Sequence, residues 1–168
     1  MFQHIDAALH LLRRRKHFFQ DMYASKTCVL STPFSQMVVG RWKSRDSDKV
    51  YIWSDEIMMF VVGDPDQFLE SWGGKEFICF VLCIEERNHW VAVVVSVMEW
   101  EMQVYDCDIT VTSDDVLNGI MTPFTEIIPS LMKQSGLFDW CGELAGKQPQ
   151  PMSFCRFPPD VVPQTKSR

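Results

Sequence analysis

The stretch from residue 77 to residue 107, FICFVLCIEERNHWVAVVVSVMEWEMQVYDC, decides the fold. Residues 77–84 form an unbroken apolar run of strand length, residues 89–97 form a second run that is rich in valine, and residues 102–107 form a third. The short polar or mixed segments between the runs have the length of tight turns. The pattern therefore predicts a three-stranded antiparallel meander whose central strand is buried on both faces.

Helical patterns flank this predicted meander on both sides. Residues 2–18 carry apolar side chains at helical spacing, and the basic cluster at residues 13–16 falls in the last turns, where it indicates a solvated face. Asp64 followed by a proline predicts the start of a short helix that ends at two glycines. Ser113 and the two acids after it predict the N-terminus of a helix that runs toward Gly136 and is broken or kinked by its two prolines.

The remaining segments give weaker patterns. Residues 40–54 suggest a charged loop that leads into a short strand or helix near residues 50–62. Residues 148–168 hold five prolines, which favour an extended and partly irregular tail. A chain of 168 residues is long enough for one core and too short for two, so residues 1–168 are expected to form a single domain of the α+β class.

Composition excludes several classes of function. A net charge of −6 argues against a nucleic-acid binder. There is no apolar run of the roughly eighteen residues that a membrane span needs, and the first residues do not have the pattern of a secretory signal. The six cysteines are dispersed without a CxxC pair, which fits a reducing compartment inside the cell and disfavours zinc. We expect no cofactor, no metal and no membrane partner.

His89 and Asp106 form the candidate catalytic pair. His89 opens the second predicted strand and Asp106 lies near the end of the third; an even-numbered turn would place Asp106 opposite Val93, on the same face as His89. A general base needs an imidazole beside an oriented carboxylate, which fixes the tautomer and stabilises the imidazolium. A lone histidine at a strand start is more often structural, so the pattern alone leaves both interpretations open.

The residues around this pair resemble those of the ubiquitin-like-protein (SUMO-type) cysteine protease family. Residues 88–95, NHWVAVVV, and residues 104–106, VYD, are similar to its histidine and aspartate strands. Residues 4–8, HIDAA, resemble the first helix of plant members, and residues 162–164, VPQ, resemble the Pro-Gln that precedes its Asp-Cys-Gly nucleophile motif. The resemblance covers nearly the whole chain. It implies a papain-like cysteine protease fold, a central antiparallel sheet flanked by helices, incomplete at both ends.

The resemblance also implies roles for the matching residues and a substrate. His89 would take the proton of a thiol and Asp106 would orient His89. Gln164 would donate its side-chain amide to the oxyanion of the intermediate, although an ordinary loop role explains it equally well. Trp90 would wall a narrow channel for the diglycine tail of a SUMO-type modifier, although core packing explains it equally well. The implied reaction is modifier processing or deconjugation.

The nucleophile that this chemistry needs has no match in the chain. The family places it shortly after Gln164, so the thiol is expected just past Arg168. Cys155 does not stand in an Asp-Cys-Gly motif and is interpreted as a packing residue. Cys28 has no papain-type signature, and Cys107 stands where the family usually has serine. We therefore expect the 168 residues as written to be inert as a peptidase.

Three hypotheses remain open from the sequence. The first is a cysteine peptidase or isopeptidase of ubiquitin-like modifiers, of which these residues are a fragment. The second is a non-catalytic derivative, a transposon-borne or degenerate copy, that at most binds a ubiquitin-like protein. An in-frame Asp-Cys-Gly after the Arg168 codon would favour the first hypothesis over the second. The third is an unrelated interaction domain in which His89 and Asp106 are incidental, and a side-chain separation beyond roughly 7 Å would favour it.

Overall fold

A mixed sheet forms the centre of the fold. The structure, a computed structural model, describes residues 2–23, 26–45, 52–140, 144 and 149–165. In the described part of the chain the sheet has five strands, which lie side by side in chain order. They are β1 (Thr27–Val29), β2 (Phe77–Ile84), β3 (His89–Ser96), β4 (Glu101–Tyr105) and β5 (Ser153–Arg156). The central pairs β2–β3 and β3–β4 are antiparallel, whereas β1 and β5 add to the edges in parallel.

The predicted meander is confirmed, but the burial predicted for its central strand is wrong. Val91, Val93 and Val95 on β3 are all buried, whereas Ala92 between them is exposed. Side chains alternate between the two faces of a strand, and helices cover the face that carries the valines. One face of β3 therefore belongs to the core and the other is only partly covered.

Five α-helices are described, in addition to three single 3₁₀ turns (Gln20–Met22, Pro65–Gln67 and Glu85–Arg87). They are α1 (Phe2–Phe18), α2 (Thr32–Ser44), α3 (Asp55–Val62), α4 (Asp114–Gln134) and α5 (Leu137–Trp140). The predicted helix at residues 2–18 is confirmed as α1. The helix predicted after Asp64 is only a 3₁₀ turn, in which the Asp64 carboxylate accepts from the Asp66 N–H. α3 is the helical alternative predicted near residues 50–62, while residues 46–51 lie outside the described residues.

The start of α4 is as predicted, and of the predicted break or kink at its prolines the break is wrong. The Ser113 hydroxyl accepts a hydrogen bond from the Val116 N–H at the N-terminus. α4 then continues through both Pro123 and Pro129, which are buried. Burial of its apolar face, including the fully buried Phe124, offsets the backbone hydrogen bonds that proline removes.

The interpretation of the basic cluster as a solvated face is wrong for two of its four residues. Arg13 and Lys16 are buried, one turn apart on α1, whereas the two residues between them are exposed. The Arg13 Nε donates to the Gln67 carbonyl oxygen at 3.1 Å, and Lys16 forms an ion pair with Glu70. Burial lowers the pKa of Arg13, with the charge of Asp6 acting against that effect. These two residues fasten α1 to the segment between α3 and β2.

The hydrophobic core lies between the sheet and helices α2, α3 and α4. Its centre is Phe34 on α2, whose ring meets those of Phe60, Trp72 and Phe80 at centroid distances of 5.4, 5.9 and 5.4 Å. The described part of the chain contains no helix with the length and hydropathy needed to cross a membrane. Within the segment predicted as an extended and partly irregular tail, Ser153–Arg156 form the edge strand β5, which pairs with β4.

Candidate active site

The sheet brings the side chains of His89 and Asp106 into direct contact. His89 is the first residue of β3, and Asp106 follows the last residue of the neighbouring β4. The His89 Nε2 lies 2.7 Å from the Asp106 Oδ1, and both side chains are buried, Asp106 completely. The predicted register was wrong by two residues, because Val93 pairs with Val104 and not with Asp106. The true register moves Asp106 toward the His89 end of β3, which makes the contact possible.

Asp106 has three hydrogen-bond partners, one of which is His89. Its Oδ1 also accepts from the Asp108 N–H at 2.9 Å, and its Oδ2 accepts from the Arg156 Nη2 at 2.6 Å. Burial alone would raise the pKa of Asp106. The hydrogen bonds from Asp108, His89 and Arg156, together with the charge of Arg156, outweigh burial and lower that pKa below its ordinary value. The site therefore keeps a carboxylate beside the imidazole.

Arg156 is the site residue that sequence reasoning missed. It lies at the end of β5, where it pairs with Val104. Paired residues share a face, so its side chain lies on the face that carries Asp106. Its Nη1 donates to the Thr112 carbonyl and to Asp114, both at 2.9 Å. Only the pairing of β4 with β5 could have indicated this contact, and the proline-rich tail gave no sign of a strand.

One known protein family matches almost the entire chain. The family described as the Ulp1 protease family, C-terminal catalytic domain, matches residues 2–167. The chain belongs to the Ulp1 protease family. No curated protein matches the chain significantly in sequence.

Two solved structures of a Ulp1 protease resemble the chain. A SUMO protease Ulp1 with its catalytic cysteine oxidised to a sulfinic acid is 11% identical with a TM-score of 0.51, covering 96% of this chain and 57% of that one. The same protease oxidised to a sulfonic acid is 10% identical with a TM-score of 0.49, covering 95% and 54%. The chain therefore spans little more than half of these structures. The likeness concerns the fold, and the predicted papain-like α+β fold is confirmed.

Gln164, the predicted oxyanion donor of this Ulp1-family domain, hydrogen-bonds through both ends of its side-chain amide to backbone groups, including that of Asp106. Its Nε2 donates to the carbonyl oxygens of Asp106 and Val162, both at 2.9 Å, and its Oε1 accepts from the Ile109 N–H at 3.1 Å. An amide nitrogen has two hydrogens, so a bond to an oxyanion would require one of these two to break. In this arrangement Gln164 fastens the chain after β5 to the loop that follows Asp106.

Trp90, the predicted channel residue, lies on the other face of the sheet from the pair. It pairs with Cys83, whereas His89 pairs with Ile84. Successive residues of a strand point to opposite faces, so His89 and Trp90 diverge at the start of β3. Trp90 is half-buried. It directly follows His89 in the sequence, so both residues lie at the same end of the sheet.

The strand register turns three cysteines of this Ulp1-family domain away from His89. Cys79 and Cys83 on β2 and Cys155 on β5 all share the face that carries Trp90. Burial raises the pKa of each, that of Cys79 to about 11. Cys28 is fully buried on β1, with its thiol donating to the Glu70 carbonyl, and burial raises its pKa to about 12. A nucleophilic thiol needs the opposite shift, so none of these four is suited to that role.

Proposed function

We propose that this domain carries the base and the orienting carboxylate of a cysteine peptidase or isopeptidase that acts on SUMO-type ubiquitin-like modifiers, in precursor processing or deconjugation. The observation that supports it is the buried 2.7 Å contact between His89 Nε2 and Asp106 Oδ1 in a domain of the Ulp1 family. With Nε2 bonded to a carboxylate, Nδ1 remains the nitrogen that accepts the proton of a thiol. Asp106 would then stabilise the imidazolium that forms.

The proposed substrate feature is the diglycine tail of the modifier. The two solved Ulp1 structures are described as SUMO proteases, and family membership supports the same class of partner here. A narrow channel selects glycine because any larger residue would bring a Cβ into contact with its walls. We propose that Trp90 supplies one wall of such a channel at the end of the sheet where β3 begins.

The Trp90→Ala substitution tests this partner and this wall. We expect the variant to bind a SUMO-type modifier ending in Gly-Gly at least about tenfold more weakly than the unchanged domain, because a tryptophan in a binding channel contributes strongly to affinity. Isothermal titration calorimetry with that modifier gives the dissociation constants.

Trp100→Ala is the matched control, because Trp100 lies in the β3–β4 turn, at the other end of β3. The modifier without its two terminal glycines should bind poorly to every form of the domain. Equal binding of the shortened and intact modifiers, or equal losses in the two tryptophan variants, would contradict the proposal.

A second proposal concerns the thiol. Cys79, Cys83 and Cys155 lie on the face of the sheet away from His89, and burial raises the pKa of the Cys28 thiol. Both observations support the expectation that the 168 residues do not hydrolyse a substrate by themselves. A SUMO-type modifier carrying a C-terminal electrophile forms a thioether with an activated cysteine. We expect no such adduct by mass spectrometry. An adduct that disappears in His89→Ala would show that the chain contains its own nucleophile and would refute this expectation.

The same placement of cysteines favours one alternative, a non-catalytic domain that binds a ubiquitin-like protein. Modifier binding without an adduct fits both this alternative and an enzyme whose thiol is encoded beyond Arg168. The codons that follow Arg168 separate the two. An in-frame Asp-Cys-Gly supports the enzyme, and the hydrolytic activity of that longer product would then be expected to depend on His89.

A further inference from the structure

We propose that Arg156 is a positioning residue that keeps Asp106 ionised and turned toward His89, whatever the charge of His89. This inference rests on the proposed pair of base and orienting carboxylate. It adds a third member that neither the sequence pattern nor the family resemblance assigned.

The need for a third member follows from the burial of Asp106. A fully buried carboxylate is stable only with a compensating charge. His89 cannot supply that charge permanently, because a general base has to be neutral before it accepts a proton. A guanidinium keeps its positive charge in proteins, so the one on Arg156 can compensate Asp106 whether or not His89 is protonated.

Arg156 and His89 bind different oxygens of the Asp106 carboxylate. Arg156 binds Oδ2 at 2.6 Å, which leaves Oδ1 for the His89 Nε2 and the Asp108 N–H. An ionised carboxylate only accepts hydrogen bonds, so Nε2 has to carry the hydrogen and Nδ1 has to be the free acceptor. A protonated Asp106 could instead donate to Nε2, which would place the hydrogen on Nδ1 and block the base.

The surroundings of Arg156 fix its guanidinium in this place. Nη2 also donates to the Ile109 carbonyl at 3.2 Å, and Nη1 donates to the Thr112 carbonyl and the Asp114 carboxylate. The side chain is only 11% exposed, whereas that of Asp114 is 89% exposed. An ion pair with so exposed a partner contributes little, so the buried contact with Asp106 is the one that matters. Among the residues that the structure describes, the charged or titratable groups that face Asp106 are thus His89 from β3 and Arg156 from β5, with Asp108 and Asp114 nearby.

The unchanged protein gives the first test, by NMR without any assay of hydrolysis. We expect the ring ¹⁵N shifts of neutral His89 to show the Nε2–H tautomer. We also expect the Asp106 carboxyl ¹³C shift to remain that of a carboxylate from about pH 8 to about pH 5, the range in which an ordinary imidazole changes charge. A dominant Nδ1–H tautomer, or a proton taken up by Asp106 in that range, would overturn the proposal.

Two variants then separate the charge of Arg156 from its packing. In Arg156→Gln the protonation midpoint of Asp106 should rise by about one to three pH units. Arg156→Lys restores a cation and should keep that midpoint low. Arg45→Gln is the matched control, because Arg45 forms a more exposed pair with Glu126. It should leave both signals unchanged.

Each result from these variants decides the matter. A folded Arg156→Gln variant with the same Asp106 and His89 signals as Arg45→Gln would refute a positioning role. If Arg156→Gln does not fold, the measurement on the unchanged protein decides, since a dominant Nδ1–H tautomer or a proton taken up by Asp106 between about pH 8 and about pH 5 refutes the role. Failure of the proposed function would show instead as an absence of modifier binding, with these NMR signals unaffected.

Discussion

Replacing Asp106 by alanine is expected to lower the free energy of unfolding by about 3 to 5 kcal/mol. Asp106 is fully buried and is hydrogen-bonded to His89, Arg156 and the Asp108 N–H. The alanine variant leaves the guanidinium of Arg156 in the protein interior without its buried carboxylate. An unpaired buried charge is far more costly than the loss of the attraction itself. Chemical denaturation followed by tryptophan fluorescence measures the change.

The matched control for this prediction is Glu126→Ala. Glu126 pairs with Arg45 at the surface, where both side chains are about two-fifths exposed, and its loss should cost at most about 1 kcal/mol. The double variant Asp106→Ala/Arg156→Met removes both buried charges and should be less destabilised than the sum of its single variants. Equal stability of Asp106→Ala and Glu126→Ala would show that the buried network contributes nothing.

The pH dependence of the free energy of unfolding is a second test of the prediction for Asp106→Ala. The pKa of Asp106 is lowered in the folded protein, because hydrogen bonds and the charge of Arg156 outweigh its burial. Its contribution to stability is therefore present above the ordinary pKa of an aspartate and is lost as the pH falls through the lowered one. The gap between the unchanged protein and Asp106→Ala should accordingly shrink in acid.

The parts of the fold that the sequence predicted are those fixed by local pattern. The meander of β2, β3 and β4 follows from three adjacent apolar runs with short turns, since such strands pair with their neighbours. The contact between His89 and Asp106 depended on that pairing. The register was wrong by two residues, but an error of two keeps both side chains on one face, so the pair was still placed together.

The parts that the sequence did not predict depend on distant segments. β1 and β5 have only three and four residues, and each pairs in parallel with a strand far along the chain. Without β5 nothing indicated that Arg156 would reach Asp106 across 50 residues. The burial of Lys16 was not predicted for the same reason, because its partner Glu70 lies 54 residues away. The local sequence pattern describes the face of an isolated helix. Which of its charged side chains are buried depends on the segments that pack against it.

Replacing Phe34 by alanine is the second large effect that we expect, a loss of about 3 to 5 kcal/mol in the free energy of unfolding. Phe34 is fully buried on α2, and its ring meets those of Phe60, Trp72 and Phe80 within 6 Å, centroid to centroid. The substitution removes the apolar contacts of one ring and leaves a cavity that three large, fixed rings cannot fill. Each of the three edge-to-face contacts adds its own share to the loss.

Phe19→Ala is the control for this core substitution, because it removes the same atoms at a position that is 54% exposed. That variant should be within about 0.5 kcal/mol of the unchanged protein. A Phe34→Ala loss no larger than this would mean that α2 is not held on the sheet by the aromatic cluster. The two large predictions also test different parts of the fold. Phe34 joins α2 to β2, whereas Asp106 joins β3 to β5, so a double variant should show nearly additive losses.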